Sequence, residues 1–179
     1  MIRKILIGLV VLVAALAVFI ATRSADFRVT RSAILPAPTA VVFGLVNDLH
    51  QWEAWSPWAK MDPNSKATFD GPLVGLGSSM AWAGNEKVGE GKMTITESKL
   101  NELIVMRLDF LKPFQATHTT EFTFRAEGEQ THVTWSMTGK NSFMSKAAGL
   151  VMDCEKMVGD QFEQGFANMK AVVAHAGAP

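Results

Sequence analysis

Acid–base chemistry in this chain would depend on its histidines, of which there are four. His118 is the candidate, because its spacing from Phe122 and Phe124 places all three on one face of a predicted strand. A neutral imidazole in such an apolar setting can accept or donate a proton near neutral pH. The alternative is that His118 lies at the end of a strand without a catalytic role. We name no other catalytic candidate.

The remaining residue types argue against several classes of function. No two histidines have the spacing of metal ligands, and the single cysteine, Cys154, has no second thiol to pair with. Basic and acidic residues number 17 each, so there is no basic excess of the kind that binds phosphates. The sequence therefore predicts no metal, no cofactor and no nucleic-acid partner.

Binding of an apolar molecule is better supported by the composition, which includes ten methionines, eleven phenylalanines and five tryptophans but no tyrosine. Methionine adapts its shape, so a wall of Met and aromatic side chains suits varied hydrophobic ligands. The predicted lining of such a cavity is Trp55, Trp58, Met80, Trp82, Met93, Met106, Phe110, His118, Phe122, Trp135, Met157 and Phe162. For each of these residues the alternative is a plain packed core.

A cluster of tryptophans at Trp52, Trp55 and Trp58 is the densest local motif of the chain. Such large rings need burial or a partner. They can close one end of the core, line the mouth of a pocket, or meet the headgroups of a membrane. Ser56-Pro57 must end any helix there, because the residue before a proline avoids the α region.

Alternating apolar and polar residues predict the strands that position these side chains. The first strand spans Phe27–Leu35, and short helices follow over Thr39–Asn47 and Asp48–Trp55. A meander of about five or six further strands runs from Ala67 to Thr138, with short turns that favour antiparallel pairing. One face of this sheet is apolar and must be covered.

The covering element is a long amphipathic helix, predicted over Ser142–Ala174 and capped by Asn141 or Ser142. Three of its residues are glycines, each of which costs about 1 kcal/mol relative to alanine. They are Gly149, Gly159 and Gly165. The pattern indicates that the helix needs room, either to approach the sheet closely or to leave space for a ligand.

The N-terminal segment, residues 1–25, differs from the domain predicted over residues 26–176. Ile5–Ala21 is an uncharged apolar run, and its length approaches the ~30 Å of a hydrocarbon core. We expect a retained single-pass membrane anchor. A cleaved signal peptide is the alternative, although Arg23 disturbs the best cleavage site before Ala25.

The charges beside this run bear on its orientation. Arg3 and Lys4 favour a cytoplasmic N-terminus with the globular domain outside the cytoplasm, whereas Arg23, Arg28 and Arg31 favour the reverse. Because the first flank usually dominates, we expect the domain to lie outside.

A set of residues within the stretch from about Phe27 to Val173 carries a family resemblance: Asp48, Trp52, Trp55, Ser56-Pro57-Trp58, Asp62-Pro63, Gly71-Pro72, Gly75, Trp82, Gly84-Asn85, Gly89-Glu90-Gly91, Lys112-Pro113-Phe114, Trp135 and the segment from Lys156 to Lys170. Through these residues the chain resembles the SRPBCC superfamily, the START-like proteins that include polyketide cyclases/dehydrases and lipid-transfer domains. The resemblance implies an α+β helix-grip fold. In that fold a curved antiparallel sheet of about six or seven strands wraps on a long C-terminal helix.

The resemblance also implies a cavity between sheet and helix that holds an apolar small molecule such as a lipid, an isoprenoid or a polyketide-like compound. It does not imply one reaction. Three hypotheses follow: a membrane-tethered hydrophobic-ligand binder, a cyclase or dehydrase that uses His118 in the same cavity, and an envelope protein-interaction module that uses Trp52–Trp58. An exposed aromatic patch at those tryptophans would favour the third hypothesis.

Overall fold

A computed structural model describes residues 2–151 and 153–176 of the chain. An N-terminal helix, α1 (Ile2–Thr22), precedes strand β1 (Asp26–Leu35), helix α2 (Thr39–Asn47), a short 3-10 turn (Leu49–Gln51) and helix α3 (Trp52–Trp55). The meander follows as β2 (Lys66–Asp70), β3 (Ser79–Ala83), β4 (Glu90–Lys99), β5 (Leu103–Lys112), β6 (Ala116–Glu127) and β7 (Gln130–Lys140). Helices α4 (Phe143–Ala148) and α5 (Cys154–Ala176) come last.

The strands form one seven-stranded sheet in the order β1-β7-β6-β5-β4-β3-β2. Every neighbouring pair is antiparallel, which short turns between consecutive strands favour. β1 is far from β7 in sequence, yet it pairs with it along its whole length, from Asp26 with Lys140 to Leu35 with Thr131. The predicted helix-grip architecture is confirmed: a sheet, two short helices after β1, and a long C-terminal helix.

The predicted single helix Ser142–Ala174 is divided in the structure into α4 and α5. Gly149 lies directly after α4, in keeping with the low helix propensity of glycine. The prediction that one helix runs through this segment is therefore wrong, although Met152, within it, lies outside the described residues.

Two side chains fix the starts of these helices. Ser142 caps α4, as predicted, because its hydroxyl accepts a hydrogen bond from the Ser145 backbone N–H at 3.1 Å. Asp153 caps α5 in the same way by accepting from the Lys156 N–H at 2.8 Å. The cap at Asp153 marks the start of a second helix. The periodic apolar pattern did not reveal this start, because the pattern continues through both helices.

α1 is a 21-residue apolar helix that is long enough to cross a bilayer by length and composition, a test that a signal sequence also passes. Its side chains are exposed apart from Ile20, which is 6% exposed. The last turn of α1 packs on α4.

The hydrophobic core lies between the inner face of the sheet and helices α2, α3 and α5. The main contacts of α5 are with β1, α3 and α2, so it crosses the sheet on the β1 side. Leu35, Val42 and Leu49 are fully buried at this junction, and Met169 of α5 joins them.

Candidate functional site: an open apolar floor on the inner face of the sheet

Four rings form a row across the inner face of the sheet, at the end where β1 begins. Trp82 of β3 is followed by Phe110 of β5, His118 of β6 and Phe27 of β1. Their neighbouring centroids are 5.9, 5.5 and 5.1 Å apart in that order. The first two pairs meet edge to face and the last is stacked, both favourable arrangements for aromatic rings. We call these four residues the aromatic row.

Strands β4 and β7 also lie under the aromatic row but contribute no ring to it. Each has a glycine at the position that pairs with the ring-bearing residues of its neighbours. Gly91 of β4 pairs with the ring-bearing residues of β3 and β5, and Gly139 of β7 pairs with those of β6 and β1. A Cβ atom at Gly91 would overlap the Trp82 ring, and one at Gly139 would overlap the His118 ring. The rings therefore lie over bare backbone instead of standing away from the sheet.

The aromatic row is only partly covered by the rest of the protein. Trp82, Phe110 and His118 keep intermediate exposure, although Phe27 is buried. Met80, two residues before Trp82 on β3, and Leu108, which pairs with His118, are also half-buried and pack against the core. Together the row and these two side chains form an apolar surface that we call the open floor.

His118 is the titratable group of the open floor. Burial lowers the pKa of His118 below its usual value, because desolvation disfavours the charged imidazolium. Its Nδ1 atom is buried without a hydrogen-bond partner among the described residues. The ring is therefore neutral at pH 7, and it can exchange a proton or donate to a polar group of a ligand.

The other half of the inner face, under α5, is filled by side chains. The Trp135 ring stacks on Phe162 of α5 with centroids 3.9 Å apart and an angle of 9° between the planes. Its indole N–H donates to Thr120 Oγ1 at 2.8 Å, and the Phe122 ring also stacks on it, with centroids 4.7 Å apart. The space between sheet and helix is closed at this point.

The glycines of α5 belong to this packing. A Cβ atom at Gly165 would come within 2.9 Å of the Trp135 ring, and one at Gly159 would overlap the Arg31 guanidinium. Arg31 reaches across to Glu163 of α5, with Nε and Oε1 2.8 Å apart. Of the two interpretations of these glycines, close approach to the sheet is the one that the structure supports.

Among the described residues, two of the best-formed depressions lie on the surface rather than between sheet and helix. One, of about 360 Å³, lies between α3 and α5 beside Ala54 and Asn168. The other, of about 410 Å³, lies on the outer face of the sheet beside Thr117, Thr119 and Thr138. Both are wide open to solvent, so neither matches an enclosed pocket for an apolar molecule.

The residues predicted to line a cavity fall into three groups by burial. Those deep in the core are Trp55, Met93, Met106, Phe122, Trp135 and Phe162. Those with intermediate exposure are Trp58, Met80, Trp82, Phe110 and His118. Met157 is 49% exposed on α5. The structure brings Met80, Trp82, Phe110 and His118 together in the open floor.

The tryptophan cluster does not form an exposed patch. Trp52 and Trp55 are 4% and 0% exposed, and their indole N–H groups donate to buried carbonyls of α2. Trp58 is half-buried and meets Trp135 edge to face, with centroids 6.0 Å apart. The surface that an interaction module would need is therefore missing at Trp52 and Trp55.

Sequence reasoning missed Phe27, Gly91 and Gly139 as site residues. The signal was present, because a glycine inside a strand often marks a close approach by another group. Which ring approaches each glycine depends on the pairing register, and no local pattern contains that information.

A family model described as "Polyketide cyclase / dehydrase and lipid transport" matches residues 26–174. A comparison with curated proteins found no match. Solved structures with the same fold include protein MLL2253 from Mesorhizobium loti, with 12% sequence identity, a TM-score of 0.63, and 85% of this chain and 100% of that chain covered.

Two further solved structures are similar. Protein Ms6760 from Mycobacterium smegmatis has 18% identity and a TM-score of 0.59, with 83% of this chain and 92% of that chain covered. Ginseng major latex-like protein 151 from Panax ginseng has 12% identity and a TM-score of 0.56, with coverages of 82% and 97%. At these identities the likeness shows the fold, whereas the family model covers most of the chain. This chain, with its hydrophobic-ligand-binding type of fold, belongs to the polyketide cyclase / dehydrase and lipid transport family.

Proposed function

We propose that the protein binds a hydrophobic small molecule, of lipid, isoprenoid or polyketide-like class, on the open floor while α1 holds it at a membrane. The ligand lies against Met80, Trp82, Leu108, Phe110 and His118. The buried residues under α5 form the rigid wall at the end of this floor rather than its lining.

The observation that carries the proposal is the pair of glycines beneath the aromatic row. Large rings that project from a sheet would fill the space above it. Because Gly91 and Gly139 let the Trp82 and His118 rings lie over the backbone, these rings extend less far from the sheet, and Trp82, Phe110 and His118 remain half-exposed. A half-exposed apolar surface of this kind is typical of a binding site.

The open floor favours an uncharged ligand body. Within the aromatic row, the Trp82 indole N–H already donates to the Val88 carbonyl at 3.3 Å, so the polar group left for a ligand is the neutral imidazole of His118, which suits one hydroxyl or carbonyl group. A ligand with a strongly charged head would have to keep that head in solvent, since burial of an unpaired charge is costly.

The test is photochemical crosslinking of the full chain in vesicles that contain a diazirine-bearing fatty acid. Mapping by mass spectrometry is expected to find attachment at Met80, Trp82, Leu108 or Phe110 in addition to α1. Attachment confined to α1 would show a membrane-bound protein whose floor is unoccupied and would sink the proposal.

A pair of variants sharpens this test. Phe110→Ala removes one ring of the floor, and we expect crosslinking at Trp82 to fall about three- to tenfold, equivalent to about 0.7–1.4 kcal/mol. Leu73→Ala removes an apolar side chain that is 71% exposed in the β2–β3 connection and should leave the yield unchanged.

A cyclase or dehydrase reaction is a second candidate, favoured by the neutral His118 imidazole on the floor. Such reactions begin with removal of a proton from a carbon beside a carbonyl. The test is exchange of that proton for solvent deuterium in a β-ketoacyl thioester, followed by NMR. If the full chain and its His118→Phe variant accelerate the exchange equally, His118 is not the base and this mechanism is excluded.

The domain would face away from the cytoplasm in this proposal, because Arg3 and Lys4, in the first turn of α1, precede its apolar run Ile5–Ala21. Protease added outside sealed cells that have been stripped of any outer barrier should cleave the domain. Cleavage only after lysis of the membrane that α1 spans would reverse the orientation.

A further inference from the structure

An apolar patch lies on α4 and the turn after it. Phe143 and Met144 are 48% and 55% exposed, and Leu150 and Val151 are 39% and 86% exposed. We call these four side chains the α4 patch. Four exposed hydrophobic residues within nine positions are more than the scattered surface hydrophobics of a soluble domain.

The α4 patch is attached to the end of the candidate membrane helix. α4 packs on the last turn of α1, where Ile20 is the buried residue. Lys146 of α4 donates from Nζ to the Ala21 carbonyl at 3.2 Å. The Asn141 N–H donates to the Ala25 carbonyl at 2.6 Å, so the segment that leads into α4 is also tied to the segment that leaves α1.

The charges near this junction suit the headgroup layer of a membrane. Arg23 follows α1 with its guanidinium 5.9 Å from the centroid of the Phe19 ring, and Lys146 is the basic residue of α4. Of the acidic groups, Asp26 is paired with Lys140, and Asp153 caps α5. Basic side chains beside an apolar patch are the usual composition of a segment that lies in a bilayer interface.

We propose that the α4 patch inserts into the interfacial layer of the bilayer that α1 spans, so that α4 lies on the membrane surface. This rests on the anchoring part of the proposed function. If α1 spans the bilayer, its last turn lies at headgroup depth, and any element packed on that turn lies within about 10 Å of the hydrocarbon core. The occupant of the patch is therefore lipid.

This placement also orients the domain. The aromatic row lies at the end of the sheet where β1 begins and β7 ends, and these strand ends lead to α1 and α4. With α4 on the surface, the open floor is held at the membrane-facing end of the sheet.

The test uses the full chain in vesicles of equal parts phosphatidylcholine and phosphatidylglycerol. Single cysteines are placed by Val10→Cys, Val151→Cys or Leu73→Cys in a Cys154→Ser background and labelled with an environment-sensitive fluorophore. Spin-labelled lipids then quench labels that contact the bilayer. Val10 reports on α1, Val151 on the α4 patch, and Leu73 on an exposed apolar site elsewhere.

We expect strong quenching at position 10, clear quenching and a blue-shifted emission at 151, and neither change at 73. Quenching at 10 with none at 151 overturns the α4 proposal and leaves the anchor intact. A blue shift at 151 without quenching would mean that protein covers the patch, and it also overturns the proposal. Absence of quenching at 10 overturns the anchor and, with it, the α4 proposal.

Position 151 is 86% exposed, so the label should not disturb the fold. Equal far-UV circular dichroism of the three labelled chains checks this. Equal quenching at 73 and 151 would mean non-specific adsorption of the domain and would count against the proposal.

Discussion

Glycines decide where this molecule is packed and where it is open. On α5, Gly165 lets the helix approach the Trp135 ring, so the rings of sheet and helix meet without a gap. On β4 and β7, Gly91 and Gly139 let rings of the sheet itself lie over the backbone. The absence of a Cβ atom therefore has two effects. At Gly165 it allows tight packing between α5 and the sheet, and at Gly91 and Gly139 it lets the rings of the open floor lie close to the backbone.

Gly165→Ala tests the packed side. The new Cβ would lie 2.9 Å from the Trp135 ring, and overpacking of this kind costs about 1–3 kcal/mol, more than the ~1 kcal/mol that alanine adds to helix propensity. We expect a lower free energy of unfolding in urea. Gly44→Ala in α2 is the control, because its Cβ would meet nothing within 4 Å and should raise stability. Stabilisation by both changes would contradict the close packing.

His118 should make stability depend on pH. Its pKa is lowered in the folded protein, so the unfolded chain binds more protons as the pH falls through its ordinary pKa of about 6.5. The contribution of neutral His118 to the free energy of unfolding is therefore complete above about pH 6.5 and is lost as the pH falls below it. Thermal unfolding of the wild type and His118→Phe between about pH 5 and pH 8 measures it. We expect the variant to lose less stability on the acid side, and parallel curves would show that His118 is not desolvated.

At the scale of elements, the tryptophan cluster supplies hydrogen-bond donors to the C-terminal end of helix α2. The last carbonyls of a helix have no partner within it. In α2 two of these, Val46 O and Leu45 O, accept the indole N–H groups of Trp52 and Trp55 at 3.0 and 2.9 Å. α3 is thereby held against the end of α2, which explains two of the three tryptophans in this segment. The third, Trp58, packs on Trp135.

Trp55→Phe should therefore destabilise the domain. The substitution removes the donor and leaves the Leu45 carbonyl buried, a loss of about 1–3 kcal/mol. Trp58→Phe is the matched control, because the Trp58 ring is only half-buried and should cost less. Denaturant unfolding of the two variants gives the comparison, and equal losses would mean that ring volume rather than the hydrogen bond matters.

At the scale of the whole molecule, α5 covers one part of the inner face of the sheet and leaves another part exposed. α5 covers the β1 side and fills it with aromatic rings, while the floor at Trp82, Phe110 and His118 is left half-exposed. The open end of the sheet is also the end from which α1 leaves the domain. Binding and tethering are thus expected at one pole of the molecule.

Retention of α1 is the prediction at this scale. The full chain should stay in the membrane fraction after an alkaline carbonate wash and keep its full mass by mass spectrometry. Leu12→Arg puts a charge near the middle of α1 at a cost of about 2.5–3.5 kcal/mol and should release part of the protein. A mature chain that lacks residues before about 25 would instead identify a signal peptide.

The local pattern of the chain was enough to predict its elements. Alternation in the strands, helical periodicity near the C-terminus and the apolar run Ile5–Ala21 depend only on neighbouring residues, so the order of elements followed from them. The helix-grip class was implied by the resemblance to the SRPBCC superfamily. The division of the last helix was missed, because the second cap at Asp153 lies within one continuous amphipathic pattern.

Which side chains meet was decided by the tertiary structure. The row from Trp82 to Phe27 and the stacking of Trp135 on Phe162 join residues far apart in the chain, through strand register and helix placement. Strand alternation could place Met and aromatic residues on an inner face, but it could not distinguish the half-exposed residues of the open floor from the buried residues of the core. That distinction depends on where α5 crosses the sheet, because burial is a property of the assembled layers and not of any single segment.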